Sequence, residues 1–285
     1  MIDIDTAPAT FGQDWHSLAP ATTVVPRWTV LMAFYNEAAD IVATLNQLRQ
    51  QTRPFRLVLV DNGSTDHSVA LCHGVLAGRG IDYVILSEAD VAGQTAAFAK
   101  GLPHVDTEFV ATCDADTYYP TGYLAAAERL LDAGGSTTVA ALACFISPDA
   151  GPFRALVMAL HQCGAGWLLP RQTHVGAAGQ CFRTDALQRA GGYSVGRWPW
   201  VLGDHEVMHR VLKLGRQRMS TQHWCGPSER RSVPVRWSLF ERIAYHVTPF
   251  ALKDAYFRWL SDRFERRGLS AARLRVREWQ PAGAQ

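Results

Sequence analysis

The sequence predicts an α/β fold with a Rossmann-like, mostly parallel sheet flanked by helices. Short apolar runs typical of buried strands alternate four times, between residues 28 and 131, with segments whose apolar residues recur at helical spacing. Polar residues follow directly after the strand-like runs. These residues are therefore expected at the carboxyl edge of the sheet, where doubly wound folds bind their ligands.

Four strand and helix pairs are predicted in the first part of the chain. The strands are Trp28 to Phe34, Leu57 to Val60, Ile81 to Leu86 and a run that starts at Phe109. The helices extend from Ile41 to Gln51, through Val69 to Val75, from Gly93-Gln94 to Gly101, and from Pro120 to Leu131. Ser64 and Thr65 follow the turn formers Asn62-Gly63 and are predicted to cap the second helix.

The pattern is less regular in the second part. Strands are predicted at Thr138 to Ile146, Gly179 to Arg183 and Arg216 to Ser220, and helices from Phe153 to Leu169, from Thr184 to the Gly191-Gly192 pair, and from Gly203 to Gly215. We predict a flexible lead-in at residues 1–26, an α/β domain at residues 27–225 with halves 27–120 and 121–225, and a mainly helical extension at residues 226–285.

Composition and charge are those of a cytosolic globular protein. The hydrophobic fraction is 48%, and a net charge of +2 is too small to indicate nucleic-acid binding. The six cysteines form no CxxC pair, which favours reduced core residues over disulfides or zinc ligands. Residues 1–26 lack a basic and apolar signal, and the longest apolar window, Phe153 to Pro170, is interrupted by polar residues. We expect a cytoplasmic protein.

The extension is basic and aromatic. Residues 226–285 contain 12 Lys or Arg against 6 Asp or Glu, and Trp237 to Arg267 mixes apolar residues with arginines. This stretch is predicted to pack on the preceding domain. The same stretch is also a candidate for peripheral contact with anionic lipid at the inner face of the membrane.

Two carboxylates, Asp114 and Asp116, follow the fourth predicted strand one residue apart. Alternation along an extended segment allows both to face one ligand. Hard oxygen donors with open positions suit Mg²⁺ or Mn²⁺ shared with a phosphorylated substrate. Asp-X-Asp alone also fits a solvated turn, so the rest of the chain must decide.

The motifs that surround this pair, taken in order, resemble family 2 glycosyltransferases of the GT-A fold. The matching segments are Trp28 to Glu37, Val58 to Asp66, Gly93 to Leu102, Cys113 to Pro120, Gly179 to Tyr193 and Gly203 to Gly215. The resemblance covers residues 28–220. It implies a nucleotide-sugar half at residues 27–120 and an acceptor half at residues 121–225.

The resemblance also implies roles for individual residues. Asp204 stands where the family has its catalytic base, and Asp114 and Asp116 match its metal and diphosphate site. The residues expected to bind the nucleotide-sugar are Phe34, Asn36, Glu37, Asp61, Gly63, Gln94, Lys100 and Asp114. The sequence departs from the family at Gly203, where a Glu usually precedes the base, and at Phe98 and Ala99, where Arg and Asn are frequent.

Further candidates come from residue chemistry. His223 is either a third metal ligand or a structural histidine. Arg230 and Arg231 are either a clamp for a diphosphate or an acidic acceptor, or a solvated basic face. Trp200 could stack on a sugar or belong to the core, and Glu206 could replace Asp204 as base.

We therefore predict an inverting, Mg²⁺- or Mn²⁺-dependent glycosyltransferase. It would move a sugar from a nucleoside-diphosphate sugar to a hydroxyl of a saccharide or lipid-linked saccharide, in bacterial surface glycan or glycolipid synthesis. Two alternatives are a retaining transferase on the same fold and an inactive nucleotide-sugar-binding module. A nucleotidyltransferase is disfavoured because no Gly-rich basic signature lies near the first strand.

Overall fold

The computed structural model describes residues 25–172, 175–228 and 238–269 and confirms the predicted α/β architecture. The strands are β1 (Trp28–Phe34), β2 (Phe55–Asp61), β3 (Tyr83–Ser87), β4 (Phe109–Asp114), β5 (Thr117–Tyr118), β6 (Thr138–Phe145), β7 (Gln180–Arg183) and β8 (Arg216–Pro227). The helices are α1 (Ile41–Leu48), α2 (Ser68–Leu76), α3 (Gln94–Gly101), α4 (Tyr123–Ala133), α5 (Pro152–Leu168), α6 (Thr184–Arg189), α7 (Gly203–Val211), α8 (Leu239–Val247) and α9 (Lys253–Arg266).

The described strands form a sheet in the order β3-β2-β1-β4-β7-β6-β8-β5. The first four of these run parallel, whereas β7 runs antiparallel to both β4 and β6. β6 and β8 are parallel to each other. The predicted mostly parallel sheet is confirmed, and the carboxyl ends of β1, β2 and β4 meet at one edge.

Helices cover both faces of the sheet. On one face, α1, α2 and α4 enclose a cluster that includes Trp28 and Tyr123. On the other, α3, α6 and α7 enclose a cluster that includes Phe98, Phe182 and Met208. Because each such side chain contributes about 1.5–3 kcal/mol when fully buried, these two layers fix the sheet and hence its carboxyl edge.

The described part of the extension is helical and packs on the domain. α8 and α9 share a third cluster with Trp198. Ser238 and Glu241 form a capping box at the start of α8. The buried Glu241 carboxylate also pairs with Arg263 at 3.0 Å and Arg267 at 2.9 Å, which fastens the two helices together.

The start of α2 differs from the prediction. Ser64 and Thr65 do not cap it, because both bind the loop after β1. The Ser64 hydroxyl accepts from the Asn36 backbone N–H at 3.0 Å, and the Thr65 N–H donates to the Asn36 side chain at 2.8 Å. The helix begins three residues later, at Ser68.

Two further boundaries depend on strand pairing. α4 begins at Tyr123 and not at Pro120, since Thr117 and Tyr118 first pair with β8 as a short strand. β8 continues to Pro227, well beyond the predicted Ser220, because its second part pairs with the end of β6. These pairings join distant segments and leave no local signal in the sequence.

None of the six cysteines forms a disulfide, and five of them are buried, as the sequence predicted. Burial raises the pKa of the Cys181 thiol to about 12, which suits an inert core residue. None of the described helices combines the length and the apolarity that a bilayer crossing requires.

Candidate active site

Asp61 and Asp114, which were predicted at the carboxyl edge of the sheet, lie there in the structure. Pairing of β1 with β2 sets Phe34 opposite Asp61, and pairing of β1 with β4 sets Ala33 opposite Asp114. Neighbouring strands lie about 4.8 Å apart, so Asp61 and Asp114 flank the end of β1 with one strand between them.

Asn36 and Asp61 shape the loop after β2. Asn36 adopts a left-handed conformation with φ of 51°, and its side-chain oxygen accepts from the Thr65 and Asp66 N–H groups at 2.8 and 3.3 Å. One Asp61 carboxylate oxygen accepts from the Ser64 N–H at 2.9 Å. These atoms therefore position the loop, and the predicted contacts of Asn36, Asp61 and Gly63 with a nucleotide stay predictions.

The structure buries the side chains of Phe34 and Glu37. Only 3% of Phe34 and 4% of Glu37 are exposed. Phe34 is the last residue of β1, and its side chain lies in the core cluster beneath α1 and α2. Side chains enclosed in this way do not reach a ligand at the sheet edge, so a nucleotide contact at these two positions would come from the backbone of the loop and stays a prediction.

Asn62 is a positioning residue that the sequence reasoning missed. Its buried side chain donates to the carbonyls of Glu88 and Val91 at 2.7 and 2.8 Å and accepts from the Gly93 N–H at 2.6 Å. These bonds tie the loop after β3 to the loop after β2. They also fix the entry into α3, whose first residue is Gln94. Asn62 was assigned from the sequence to the Asn-Gly turn, and these side-chain hydrogen bonds were not predicted.

Gln94 and the two aspartates form the centre of the site. The Gln94 amide donates to Asp114 at 2.7 Å, and the Asp114 N–H donates to the Tyr119 hydroxyl at 2.9 Å. Asp114 ends β4 and Asp116 lies in the following turn, both partly exposed. Two carboxylates would fill only part of the coordination shell of Mg²⁺ or Mn²⁺, and phosphate oxygens of a substrate would complete it. Within residues 25–172, 175–228 and 238–269, no group of three His, Cys, Asp or Glu could hold a metal by itself.

His223 is placed in the core and not with these carboxylates. Its side chain is fully buried in β8, with its ring centroid 4.8 Å from that of Tyr123 and its Nε2 3.9 Å from the Cys181 sulfur. Burial lowers the pKa of His223 to about 3. The structural alternative is therefore the correct one, and the expectation of a third metal ligand is wrong, because β8 pairs with β6 through this residue's neighbours.

Asp204 lies near the amino terminus of α7, beside α3. The left-handed Leu202, with φ of 66°, turns the chain into the helix, and Gly203 packs so closely on the Thr95 hydroxyl that a Cβ at this position would displace it. Thr95 directly follows Gln94, so the residue before Asp204 contacts the neighbour of the residue that binds Asp114. A Glu in place of Gly203, as the family resemblance implied, would require the Thr95 side chain to move.

The Asp204 carboxylate is partly enclosed, with 17% of the side chain exposed. One oxygen accepts from the His205 N–H at 2.9 Å and lies 3.0 Å from His205 Nδ1. The other faces Gly176, whose Cβ position lies 3.6 Å from it. The His205 ring in turn lies 5.8 Å from the ring of Tyr245 in α8. The described extension thus supports the residue that orients Asp204.

Tyr193 lies in the core cluster that α3 and α7 enclose and was not among the predicted site residues. Burial raises the pKa of its hydroxyl, and the negative charges of Asp204 and Asp114 raise it further. A hydrogen bond between this hydroxyl and the Thr112 side chain opposes these effects on its pKa. Its ring packs on Phe98 at 4.9 Å, so Phe98 fills the core where the family frequently has Arg.

Glu206 is not available as a substitute base. It is buried and forms a two-pronged ion pair with Arg210 at 2.7 and 2.8 Å. Arg210 also donates to the carbonyls of Ala190 and Gly192, behind the Gly191-Gly192 turn. A carboxylate held on both oxygens by a buried guanidinium braces the fold, so this expectation is corrected.

Two other expectations are corrected by position. Lys100 lies in the last turn of α3, beside His104, about 9 Å along the helix from Gln94 and therefore toward the opposite edge of the sheet. The Trp200 indole donates to Ser261 at 2.8 Å, and its partly buried ring packs against the cluster that α8 and α9 share with Trp198. Arg230 and Arg231 lie outside the described residues.

Comparison with known proteins identifies the family. Residues 29–168 match the model of glycosyl transferase family 2. This region of the chain belongs to that family. The family 2 region runs from β1 to the end of α5 and includes both aspartates of the Asp-X-Asp pair, so the resemblance found in the sequence is confirmed.

Curated relatives of the family 2 region carry glycosyltransferase names. The chain is 31% identical over 166 residues to the uncharacterized glycosyltransferase YaiP of Escherichia coli (strain K12), covering 55% of this chain and 41% of that protein. It is 28% identical over 100 residues to the undecaprenyl-phosphate 4-deoxy-4-formamido-L-arabinose transferase of Serratia proteamaculans (strain 568), covering 34% and 31%. The chain spans less than half the length of these relatives.

Solved structures show that the fold extends beyond the family 2 match. The mannosyltransferase PcManGT from Pyrobaculum calidifontis, in complex with GDP-Man and Mn²⁺, superposes with a TM-score of 0.61 at 22% identity, covering 85% of this chain and 67% of that one. S. aureus TarS 1-349 in complex with UDP-GlcNAc gives 0.57 at 17% identity, covering 84% and 73%. The fold is the GT-A glycosyltransferase fold.

Proposed function

We propose that the protein is an inverting glycosyltransferase that moves a sugar from a nucleoside-diphosphate sugar to a hydroxyl acceptor. The observation that carries the proposal is the convergence of two carboxylate sites on the amino terminus of α3. Gln94 binds Asp114, and its neighbour Thr95 packs on Gly203, next to Asp204. A donor diphosphate at the first site would direct its sugar toward the second.

The donor half of the proposal rests on the loops at the carboxyl edge. The loops after β2 and β3 are braced by Asn36 and Asn62, so their backbone groups are preorganised for a nucleotide. Asp114 and Asp116 would hold Mg²⁺ or Mn²⁺, which when bound supplies positive charge for the leaving diphosphate. Complexes of structural neighbours with GDP-Man and Mn²⁺, or with UDP-GlcNAc, support a donor of this class.

The acceptor half rests on Asp204. A carboxylate that accepts the proton of an attacking hydroxyl must be accessible to that hydroxyl and fixed in orientation. Asp204 meets both conditions, because its side chain is 17% exposed and one oxygen is held by His205. A single displacement that uses this base inverts the anomeric carbon and needs no covalent intermediate on the enzyme.

The acceptor class is proposed from similarity. One relative is named as an undecaprenyl-phosphate transferase, so its name specifies a lipid phosphate. We infer that the acceptor here is a saccharide or lipid-linked saccharide of a bacterial surface glycan or glycolipid. The reaction would then take place in the cytoplasm or at the inner face of the membrane.

The decisive experiment is the Asp204→Asn variant. We expect sugar transfer to fall by at least about 10²-fold, since general base catalysis contributes about 10²–10⁴. The thermal stabilisation by GDP or UDP with Mn²⁺ is expected to persist, because Asp204 does not belong to the donor loops. Asp149→Asn, an exposed carboxylate ahead of α5, is the matched control.

Product analysis separates the alternatives. NMR of the new linkage with inversion supports Asp204 as the base, whereas retention of the donor configuration would replace the proposal by a retaining transferase. A wild-type protein that binds nucleotide sugar but transfers to no acceptor of a saccharide panel would be a binding module.

A further inference from the structure

Two described helices expose apolar faces to solvent. On α5 the exposed apolar residues are Phe153, Leu156, Val157, Leu160, Trp167 and Leu168. Their spacing of three, four and seven places them on one face of the helix. The side chain of Trp167 is 81% exposed, so most of this large apolar ring is in contact with solvent. On α8 the corresponding residues are Leu239, Phe240, Ile243 and Val247.

The carboxyl ends of these helices meet. The Arg171 guanidinium, three residues after α5, lies 4.8 Å from the ring centroid of Phe250, three residues after α8. Leu252, two residues after Phe250, is also exposed. We call the two exposed faces together the α5/α8 surface. Extended apolar surfaces of this kind mark interaction sites on otherwise polar proteins.

The ionisable residues exposed on these helices are basic or neutral. They are Arg154 and His161 on α5, and Arg242 and His246 on α8. α5 contains no acidic residue, and Glu241, the acid of α8, is buried and paired with Arg263 and Arg267. The acid closest in sequence to α5 is Asp149, in the loop before the helix.

This charge pattern indicates which partner the α5/α8 surface binds. A second copy of the chain would bring Arg154 and Arg242 into an interface in which neither helix offers an exposed acid to pair with them. An anionic bilayer instead attracts each arginine at its surface while the apolar side chains enter the boundary between headgroups and acyl chains. We propose that the α5/α8 surface docks the protein on an anionic phospholipid bilayer, with both helices lying in the plane of the membrane.

The surface is connected to the candidate active site. Gln162 of α5 accepts from the Phe145 N–H at 2.8 Å and donates to the Phe145 carbonyl at 2.9 Å. The Phe145 ring and an Asp204 oxygen both lie 3.6 Å from the Cβ position of Gly176. If the proposed function holds, docking would bring Asp204 toward acceptors that are anchored in the membrane.

The test is cosedimentation of the full chain with vesicles of phosphatidylcholine, with and without phosphatidylglycerol. We expect binding to the anionic vesicles, and a loss of roughly tenfold or more in partitioning for the W167E/L168E double variant, which removes two large apolar side chains from the boundary. Val25→Glu is the control, because Val25 is 82% exposed but lies before β1, at the opposite edge of the sheet. R154Q/R242Q should reduce the preference for phosphatidylglycerol.

Three outcomes would overturn the proposal. These are a wild type that sediments with neither vesicle, a double variant that binds like the wild type, and a concentration-dependent dimer that the double variant abolishes without any vesicle binding. The last would assign the surface to a second copy. Stabilisation by GDP or UDP with Mn²⁺ checks that each variant is folded, and transfer to a soluble saccharide acceptor tests the proposed function separately.

Discussion

Gly203 packs closely against the Thr95 hydroxyl, so a side chain at the residue before the proposed base would require Thr95 to move. The contact joins the amino termini of α3 and α7. Through it, the residue that follows Gln94 fixes the position of Asp204. The glycine before Asp204 is thus compatible with this packing and does not by itself indicate lost activity.

Gly203→Ala should therefore disturb both stability and transfer. Overpacking at a tight contact costs about 1–3 kcal/mol in the free energy of unfolding. Thr95→Ala removes the clashing oxygen, so the G203A/T95A double variant should regain most of the loss. Urea unfolding and transfer rates measure the two effects. A double variant that is no better than G203A would contradict this account of the contact.

Asp116→Asn should remove the cation-dependent part of nucleotide binding. Saturating GDP or UDP at about 100 times its dissociation constant stabilises a folded protein by about 2.7 kcal/mol. We expect Mn²⁺ to be required for most of the nucleotide's thermal shift in the wild type, and EDTA or the variant to abolish that part. Asp149→Asn should behave like the wild type. Equal shifts with Mn²⁺ and with EDTA would exclude the proposed cation site.

Glu206→Gln should lower the free energy of unfolding, because Glu206 supports the fold and does not take part in catalysis. Removing one partner of the buried pair leaves the Arg210 charge uncompensated, at a cost of about 3–5 kcal/mol. Asp185→Asn is the control, since its pair with Arg189 has the same i,i+4 spacing but is largely exposed, and we expect little change there. A fully stable Glu206→Gln variant without transfer activity would instead make Glu206 a catalytic residue.

His223 should make the protein sensitive to acid. Its pKa is lowered from 6.5 to about 3 in the folded state, so the unfolded chain binds a proton at pH values where the folded protein does not. The free energy of unfolding is therefore expected to fall as pH drops below 6.5, by about 1.4 kcal/mol per pH unit from this residue, until the pH reaches about 3.

The difference between variants isolates this effect. Urea unfolding at pH 7, 6, 5 and 4 should show a shallower pH dependence for His223→Gln than for the wild type, whereas exposed His161→Gln should leave the slope unchanged. The carboxylates titrate in both proteins and cancel in the difference. Parallel curves for wild type and His223→Gln would mean that His223 binds a proton in the folded protein.

Several elements could be predicted because their information is local. β1 and α3 appear where apolar periodicity and the Gly93-Gln94 signal place them, and Asp114 ends its strand as expected. Lys100 was misplaced for a geometric reason. The family pattern suggested a substitute cation on α3, but the helix carries Lys100 away from the carboxyl edge.

The burial of the Phe34 side chain and the errors at Glu206 and His223 share one cause. Each depends on partners that lie far away along the chain or on the side of the sheet that a residue faces, and neither is encoded within a short window. Glu206 becomes a brace only because Arg210 also meets the turn at Gly192. His223 becomes a core residue only because β8 continues past Ser220 along β6.

The sequence by itself determined the α/β order, the family, and the carboxyl-edge position of Asp114, since strand and helix periodicity and short motifs are properties of neighbouring residues. Only the tertiary structure decided that Asp204 stands beside α3, that Asn62 belongs to the site, and that the α5/α8 surface is exposed. Those facts arise from close packing between segments remote in sequence, where a single methyl group, as at Gly203, determines which residues can meet.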